Sequence, residues 1–362
     1  VTRVLWISEE VPDRNGHGGQ RRQYHLIKAL IAGGIRVDVA VPPSPQDTSS
    51  ISALTSVTVL DRPRRRLGFG ASAFDRLVES SRPDAVIICH PVSVGLVRAT
   101  FRRPRVPLYI DVHNVDSRWF THLGDDAEVR RAVRAERRIL ERATAIACSE
   151  EERAALHAVD AAGDVIIVRQ GFDPDEWTDP GVIESDRAVL AFFGSLWYPI
   201  NTDGLDWFIE LVWPKIRRER PDAELHLFGA GPGERFTDPA AGIVAEGWVE
   251  DLSTSLRSAS MIIVPILAGP GSRVKFPEAL ASGVPVVATG IAGESFGADD
   301  HYLRADDPDS FARACLRVLA DTDDARRMAA SAREYAMASL TWDAAARPLI
   351  ARLHGTDPIQ PS

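Results

Sequence analysis

Short aliphatic and β-branched runs alternate with stretches of helical period from one end of this chain to the other. No other feature narrows its possible folds as much. Residues 4–8, 37–41, 85–89 and 108–112 are apolar except at Ser8, Asp38 and Asp111, with little of the in-out alternation of a half-exposed strand. They read as strands buried on both faces. Between them, residues 22–31 and 71–79 carry the helical period, with Leu26, Ile27, Leu30 and Ile31 on one face. A charged helix is expected over 126–143, then strands at 145–148 and 164–168. Such alternation predicts an α/β protein with a doubly wound parallel sheet. Segment 173–186 is acidic and aperiodic and holds Pro174 and Pro180, the marks of a boundary. A second series follows, with strands at 189–193, 224–228, 242–246, 261–264 and 284–288. Its helices are expected at 203–218, 252–258, 277–282 and 310–319. At 362 residues the chain exceeds the roughly 250–300 at which a single core stops growing. Two domains are therefore expected, 1–175 and 186–335, with ligands at the carboxyl ends of their strands.

Charge and composition exclude several classes. A formal net charge of -9 argues against duplex nucleic acid or an anionic membrane as the main partner, since both need clustered cations. No apolar run reaches the roughly 20 residues of a membrane span, and residues 1–8 read as a strand rather than a secretion signal. Cys89, Cys148 and Cys315 lie far apart, as reduced thiols of a cytoplasmic protein would. Only Lys28, Lys215 and Lys275 are lysines among the 42 basic residues, so each lysine carries more information than usual. The arginine bias points to a GC-rich bacterial source.

Chemistry is expected in the loops that follow the strands. After the first strand, Gly16, Gly18 and Gly19 precede a helix opening at Arg21 and Arg22. A glycine turn at a helix N-terminus offers free N–H groups to an anion. It is not a dinucleotide fingerprint, because Arg21 stands where the third glycine would be, and no Gly-Lys-Ser/Thr follows to make a P-loop. Residues 111–117 set Asp111, His113, Asn114, Asp116 and Ser117 directly after an apolar strand. Residues 194–201, Gly-Ser-Leu-Trp-Tyr-Pro-Ile-Asn, have the form of an anion-binding strand–turn–helix without a cation. The most specific segment runs from Val264 to Thr289 as strand, glycine loop, helix and strand. Gly269, Gly271 and Ser272 open its helix, Arg273 and Lys275 lie in the first turn, and Glu278 follows. Cations there oppose the helix macrodipole by about 0.3–1 kcal/mol each, unless an anion lies between them and the helix end. A diphosphate would meet both backbone and side-chain donors, and Glu278 could accept from vicinal hydroxyls such as those of a ribose.

The run from Gly271 to Thr289 resembles the nucleotide-binding signature of the large retaining glycosyltransferase family 4. Further matches are Gly18-Gly19, residues 111–117 and 145–151, Arg169-Gln-Gly-Phe-Asp173, Leu227-Phe-Gly-Ala-Gly-Pro232 and Gly247-Trp-Val-Glu-Asp-Leu252. The resemblance implies the GT-B fold, two Rossmann-like domains facing across a cleft, the first binding acceptor and the second the donor. It implies transfer of a sugar from a nucleoside-diphosphate sugar to a hydroxyl of a saccharide, glycolipid or natural product. Retention, no bound metal and no cofactor are part of that implication. By the same resemblance, Gly18 and Gly19 meet the donor phosphate. His113 lies near the transferred sugar, with Arg22, Asp111, Asn114 and Asp116 on the acceptor side. Gly229, Gly231 and Val249 hold the nucleobase, and Glu278 holds the ribose. Gly194, Ser195, Asn201, Gly271 and Ser272 complete the donor site. A last helix, about 338–354, is expected to pack back on the first domain.

Two departures matter. Ser195 and Asn201 stand where many family members carry Arg and Lys. Pro270 stands where they carry the first glutamate of a Glu-x7-Glu pair. Arg273 and Lys275 are expected to supply the missing charge and to act in catalysis with His113. The departures also fit a non-catalytic partner that binds a nucleotide sugar or another transferase. Arg62, Arg64, Arg65 and Arg66 form either a solvated loop or a contact with a phosphorylated or lipid-linked acceptor or with membrane headgroups.

Overall fold

The computed structural model describes residues 1–43, 46–59, 77–89, 106–112, 114–177, 187–268 and 274–356. Among these, the chain forms two compact units. The first takes Val1–Gln170 and the chain from Trp342 on, and the second takes the chain between Gly171 and Thr341.

In the first unit the strands are β1 (Arg3–Ile7), β2 (Arg36–Val41), β3 (Val57–Val59), β4 (Ala85–Cys89), β5 (Leu108–Asp111), β6 (Thr144–Ala147) and β7 (Val165–Ile167). They lie in the order β3-β2-β1-β4-β5-β6-β7. Every pairing is parallel, with Val4 opposite Val37 on one side and Ala85 on the other. The winding therefore reverses between β1 and β4, the place where such sheets bind ligands. All of β4 is buried because helices cover both faces. On one face Val4, Trp6 and Ile87 pack with Leu26, Ile27 and Leu30 of α1 (Gly18–Ala32). On the other, Leu5, Ile7 and Val86 pack with Ile139 and Leu156. Those two belong to α3 (Asp126–Leu140) and α4 (Glu150–Val159), which follow the short α2 (Asp116–His122).

The second unit repeats the design with β8 (Val189–Phe193), β9 (Glu224–Phe228), β10 (Ile243–Gly247), β11 (Met261–Val264), β12 (Val286–Ala288) and β13 (Leu303–Arg304). The order is β10-β9-β8-β11-β12-β13, parallel throughout. Its switch point lies between β8 and β11. The helices are α5 (Pro199–Trp207), α6 (Trp213–Glu219), α7 (Lys275–Ala281), α8 (Pro308–Ala320) and α9 (Thr322–Ser339). The helix expected over 203–218 is not continuous. A five-residue π turn, Phe208–Val212, separates α5 from α6. Pro214 has no N–H to return to the carbonyl four residues back, and a widened turn accommodates it. The final helix, α10 (Trp342–Leu353), packs on α1 in the first unit, where Trp342 stacks on His25 at 5.6 Å between ring centroids. No helix among the described residues is long and apolar enough to cross a membrane.

Candidate functional site

Three loops leave the carboxyl ends of β8, β9 and β10, and backbone hydrogen bonds lace them together. The Gly194 N–H donates to Phe228 O at 2.9 Å, Leu196 N–H to Ala230 O at 2.8 Å, and Gly229 N–H to Gly247 O at 2.7 Å. Such close backbone approach needs glycine. A Cβ on Gly229 would lie 2.0 Å from Gly194 O, and one on Gly231 would lie 2.7 Å from Leu196 Cβ. Both residues also have positive φ, +149° and +135°. Glycines 194, 229 and 231 thus fix a rigid rim, with Ser195 exposed upon it and Val249 half-buried after β10. The Ser195 N–H has no hydrogen-bond partner among the described residues.

The cation of this rim comes from a neighbouring element. α7 begins at Lys275, two residues before the expected start. Its Nζ donates to Asn201 Oδ1 at 2.7 Å, while Asn201 Nδ2 donates to Ser195 O at 2.7 Å. The same ammonium lies 4.1 Å from the centroid of the Phe192 ring. A Cβ on Gly194 would come within 2.9 Å of it. Burial pulls Lys275 down to about 7, with the Glu278 carboxylate acting in the opposite sense. Glu278 itself is buried one turn on in α7. The structure therefore brings Gly194, Ser195, Asn201, Lys275 and Glu278 to one corner of the second unit. Gly271, Ser272 and Arg273 lie outside the described residues.

In the first unit, Gly18 and Gly19 are the first two residues of α1. Their helix is closed by His17, a residue the sequence reading did not single out. Its Nδ1 accepts the Gly19 N–H at 3.3 Å and its Nε2 meets Glu10 at 2.7 Å. That bond to Glu10 raises the His17 pKa against the effect of its partial burial. The signal was present in Gln20, whose Oε1 accepts the His17 N–H as the second half of a capping box.

Arg22 and Asp111, expected on the acceptor side, are buried. Both side chains are 0% exposed and pair with each other, with Arg22 Nη2 2.8 Å from Asp111 Oδ1. Arg22 Nε also lies 3.2 and 3.1 Å from the two carboxylate oxygens. Burial alone would lower the guanidinium pKa, but Asp111 more than offsets it and the group stays a cation. As placed, the pair fastens α1 to the end of β5. Asn114 and Asp116 are half-buried at the start of α2. That helix is held by Glu136 of α3, whose Oε1 accepts the Ser117 N–H at 2.9 Å. Glu136 was also missed, because a glutamate within a charged helix looks solvated in sequence. His113 and the arginines at 62–66 lie outside the described residues. Cys89, Cys148 and Cys315 form no disulfide and are buried, and burial pushes all three thiols up.

Comparison with known proteins places this geometry among relatives. The family described as "Glycosyltransferase Family 4" matches residues 16–176, and "Glycosyl transferases group 1" matches residues 187–321. Among solved structures, a sucrose-phosphate synthase from Thermosynechococcus elongatus is 18% identical with a TM-score of 0.76. The match covers 99% of this chain and 100% of that one. The Anabaena protein HepE, in complex with UDP and glucose, is 17% identical over 98% of this chain and 100% of its own, at a TM-score of 0.72. TarM of S. aureus, in a complex that includes UDP, is 10% identical over 98% and 100% at 0.73. An uncharacterized protein of the cps region of Klebsiella pneumoniae is 26% identical over 155 residues, and the match spans 40% of each chain.

Proposed function

The chain belongs to the family 4, group 1 glycosyltransferases, and from that premise we propose that it moves a sugar from a nucleoside-diphosphate sugar to an acceptor hydroxyl, with retention and without a metal. Its fold is GT-B, two Rossmann-like units of seven and six parallel strands. The proposed donor site is the rim of the second unit, and the observation that carries it is the placement of Lys275. A lysine amine packed on Phe192 and tied through Asn201 to the turn at Ser195 is a positioned group, able to carry a positive charge, beside an open backbone N–H. That is the arrangement a leaving diphosphate needs, since charge develops on its oxygen as the glycosidic bond lengthens. The UDP complexes of HepE and TarM support a nucleotide donor.

In this reading Lys275 and the Ser195 N–H stabilise the departing diphosphate, and Arg273 adds a second cation. Gly229, Gly231 and Val249 receive the nucleobase on backbone, and Glu278 accepts from the ribose. Gly18, Gly19 and His113 serve the donor phosphate and the transferred sugar. The departing phosphate oxygen guides the acceptor hydroxyl to the same face, so no carboxylate nucleophile is required. The acceptor class is a saccharide, glycolipid or natural product. Buried thiols outside any disulfide support a reducing, cytoplasmic setting.

Melting temperature in the presence of UDP, GDP, ADP and dTDP, with NAD as control, tests the proposal. A nucleotide that binds only the native state raises it by mass action. One diphosphate should stand out and lose its effect in Lys275→Ala and Glu278→Ala. A flat response to every nucleotide and its sugars would sink the donor-site assignment.

A further inference from the structure

Among the described residues of the second unit, the exposed large apolar side chains are Trp197, Tyr198, Leu211 and Trp248. Three of these stand on the rim, Trp197 and Tyr198 after β8 and Trp248 after β10. Trp197 is 72% and Trp248 66% exposed, whereas Trp6, Trp177, Trp213 and Trp342 are buried. An indole carries about 150–250 Å² of mostly apolar surface, and left in water it loses the gain of burial unless a ligand covers it. Neither indole hangs on a loose segment. Trp197 follows the buried Leu196, whose N–H is held by Ala230 O, and its own N–H donates to Ser195 Oγ at 3.3 Å. Trp248 follows Gly247, whose carbonyl accepts the Gly229 N–H. Gly247 turns the chain there at φ +74°, with open space where a Cβ would stand.

The two tryptophans therefore flank the loop after β9, one from the β8 side and one from the β10 side. That loop is nearly bare, because Gly229 and Gly231 have no side chain and Ala230 between them carries only a methyl group. Neighbouring strands lie about 4.8 Å apart, so the segments leaving β8 and β10 start about 9–10 Å from each other across it. Three flat rings in contact at about 3.5–4 Å span roughly 7–8 Å. Resting on the donor-site reading above, we propose that Trp197 and Trp248 clamp the two faces of the donor nucleobase, whose edge meets the backbone at 229–231. A base is uncharged, so the exposed Glu246 and Glu250 beside Trp248 do not oppose it. Every base has a π face, so the clamp supplies affinity without choosing the base. That choice falls to the backbone groups along the edge.

Titration calorimetry of the full chain with UDP, GDP, ADP, dTDP and inorganic pyrophosphate tests this. Trp197→Ala and Trp248→Ala should each weaken the tightest nucleoside diphosphate by roughly 5- to 150-fold, the worth of one stacked aromatic face. Trp197→Phe and Trp248→Phe keep a flat ring and should recover most of the loss. Pyrophosphate has no base, so it should bind the tryptophan variants as it binds wild type and weaken only in Lys275→Ala. Both side chains are exposed, so the ligand-free variants should melt with wild type. Unchanged nucleotide affinity in either alanine variant overturns the clamp, and the donor site still stands if Lys275→Ala weakens binding. An equal loss of pyrophosphate in the tryptophan variants also overturns it, because the indoles would then shape the phosphate corner. If no nucleoside diphosphate binds wild type, the donor-site reading and the clamp fail together.

Discussion

A lysine held at about 7 is only partly a cation near neutral pH. Free of ligand, Lys275 loses its proton as pH rises through that value, and an incoming diphosphate must restore it. UDP affinity should therefore fall above about pH 7, with Kd rising up to tenfold per pH unit until the pKa of the bound form is reached. Titration calorimetry between about pH 6 and 9 reads this directly. Lys275→Met should bind roughly ten- to a hundredfold more weakly at low pH, the worth of a charge-assisted hydrogen bond, and show no such slope. A wild-type profile as flat as the variant's would remove Lys275 from the phosphate. Glu136 gives a second pH test with the opposite chemistry. Burial pushes its carboxyl up, against the Ser117 hydrogen bonds that lower it. The folded state then holds a proton that the unfolded chain has released, so this group's stabilisation is present at low pH and is lost as pH rises through the folded value. Glu136→Gln keeps the acceptor for Ser117 N–H and removes the charge. Urea midpoints of the variant should exceed wild type at high pH and converge with it at low pH.

Elements differ in how openly the sequence announces them. β4, β8, β9 and β11 run over the residues expected. β4, β8 and β11 are apolar from end to end, as strands buried on both faces must be, whereas β9 alternates, with Leu225 and Leu227 buried and Glu224 and His226 half-buried. The edge strands β3 and β13 were not foreseen. They are short and half in solvent, with Val59 57% exposed, and such a strand leaves little pattern. α2 was missed for a related reason, since Glu136 of another helix satisfies its first turn. The corner of the site was legible in part: Lys275 and Asn201 could each be named, but 74 residues of chain separate them, and only the fold shows the hydrogen bond. The burial of Arg22 against Asp111 was illegible, because charged residues beside glycine loops look like ligand contacts until a partner is seen. The lacing of the β8, β9 and β10 loops yields a prediction at this scale. Gly229→Ala drives a Cβ into Gly194 O at a backbone angle side chains avoid, and should lower stability by about 3 kcal/mol or more and abolish UDP binding. Gly247→Ala, at φ +74° with nothing within 4 Å, should cost only about 1–2 kcal/mol. Equal losses in the two variants, read from urea melts, would mean the close approach is not what holds the rim.

At the scale of the molecule, the chain leaves the first unit near Gln170 and returns to it at Trp342. The first unit's core is thus completed by residues that follow the second unit in the chain. Trp342, Ala346 and Leu349 of α10 join the cluster around Leu26, Ile27 and Leu30 of α1. The second unit has a core of its own, around Leu190, Phe208 and Phe311. Two cores of this kind can melt separately, and the two units carry separate levers. Leu349 is fully buried, so Leu349→Ala should cost about 2–5 kcal/mol of the first unit's stability alone. Uridine, which lacks the diphosphate assigned to Gly18 and Gly19 of the first unit, should on binding the second unit's rim add RT ln(1 + [L]/Kd) to that unit alone. Differential scanning calorimetry then has a definite expectation. The substitution moves one transition down, uridine moves the other up, and the two effects leave each other unchanged in the variant with ligand. A single transition that responds to both would mean that the units unfold as one cooperative block. The returning helix would then stabilise the nucleotide-binding unit as well as the one it packs on.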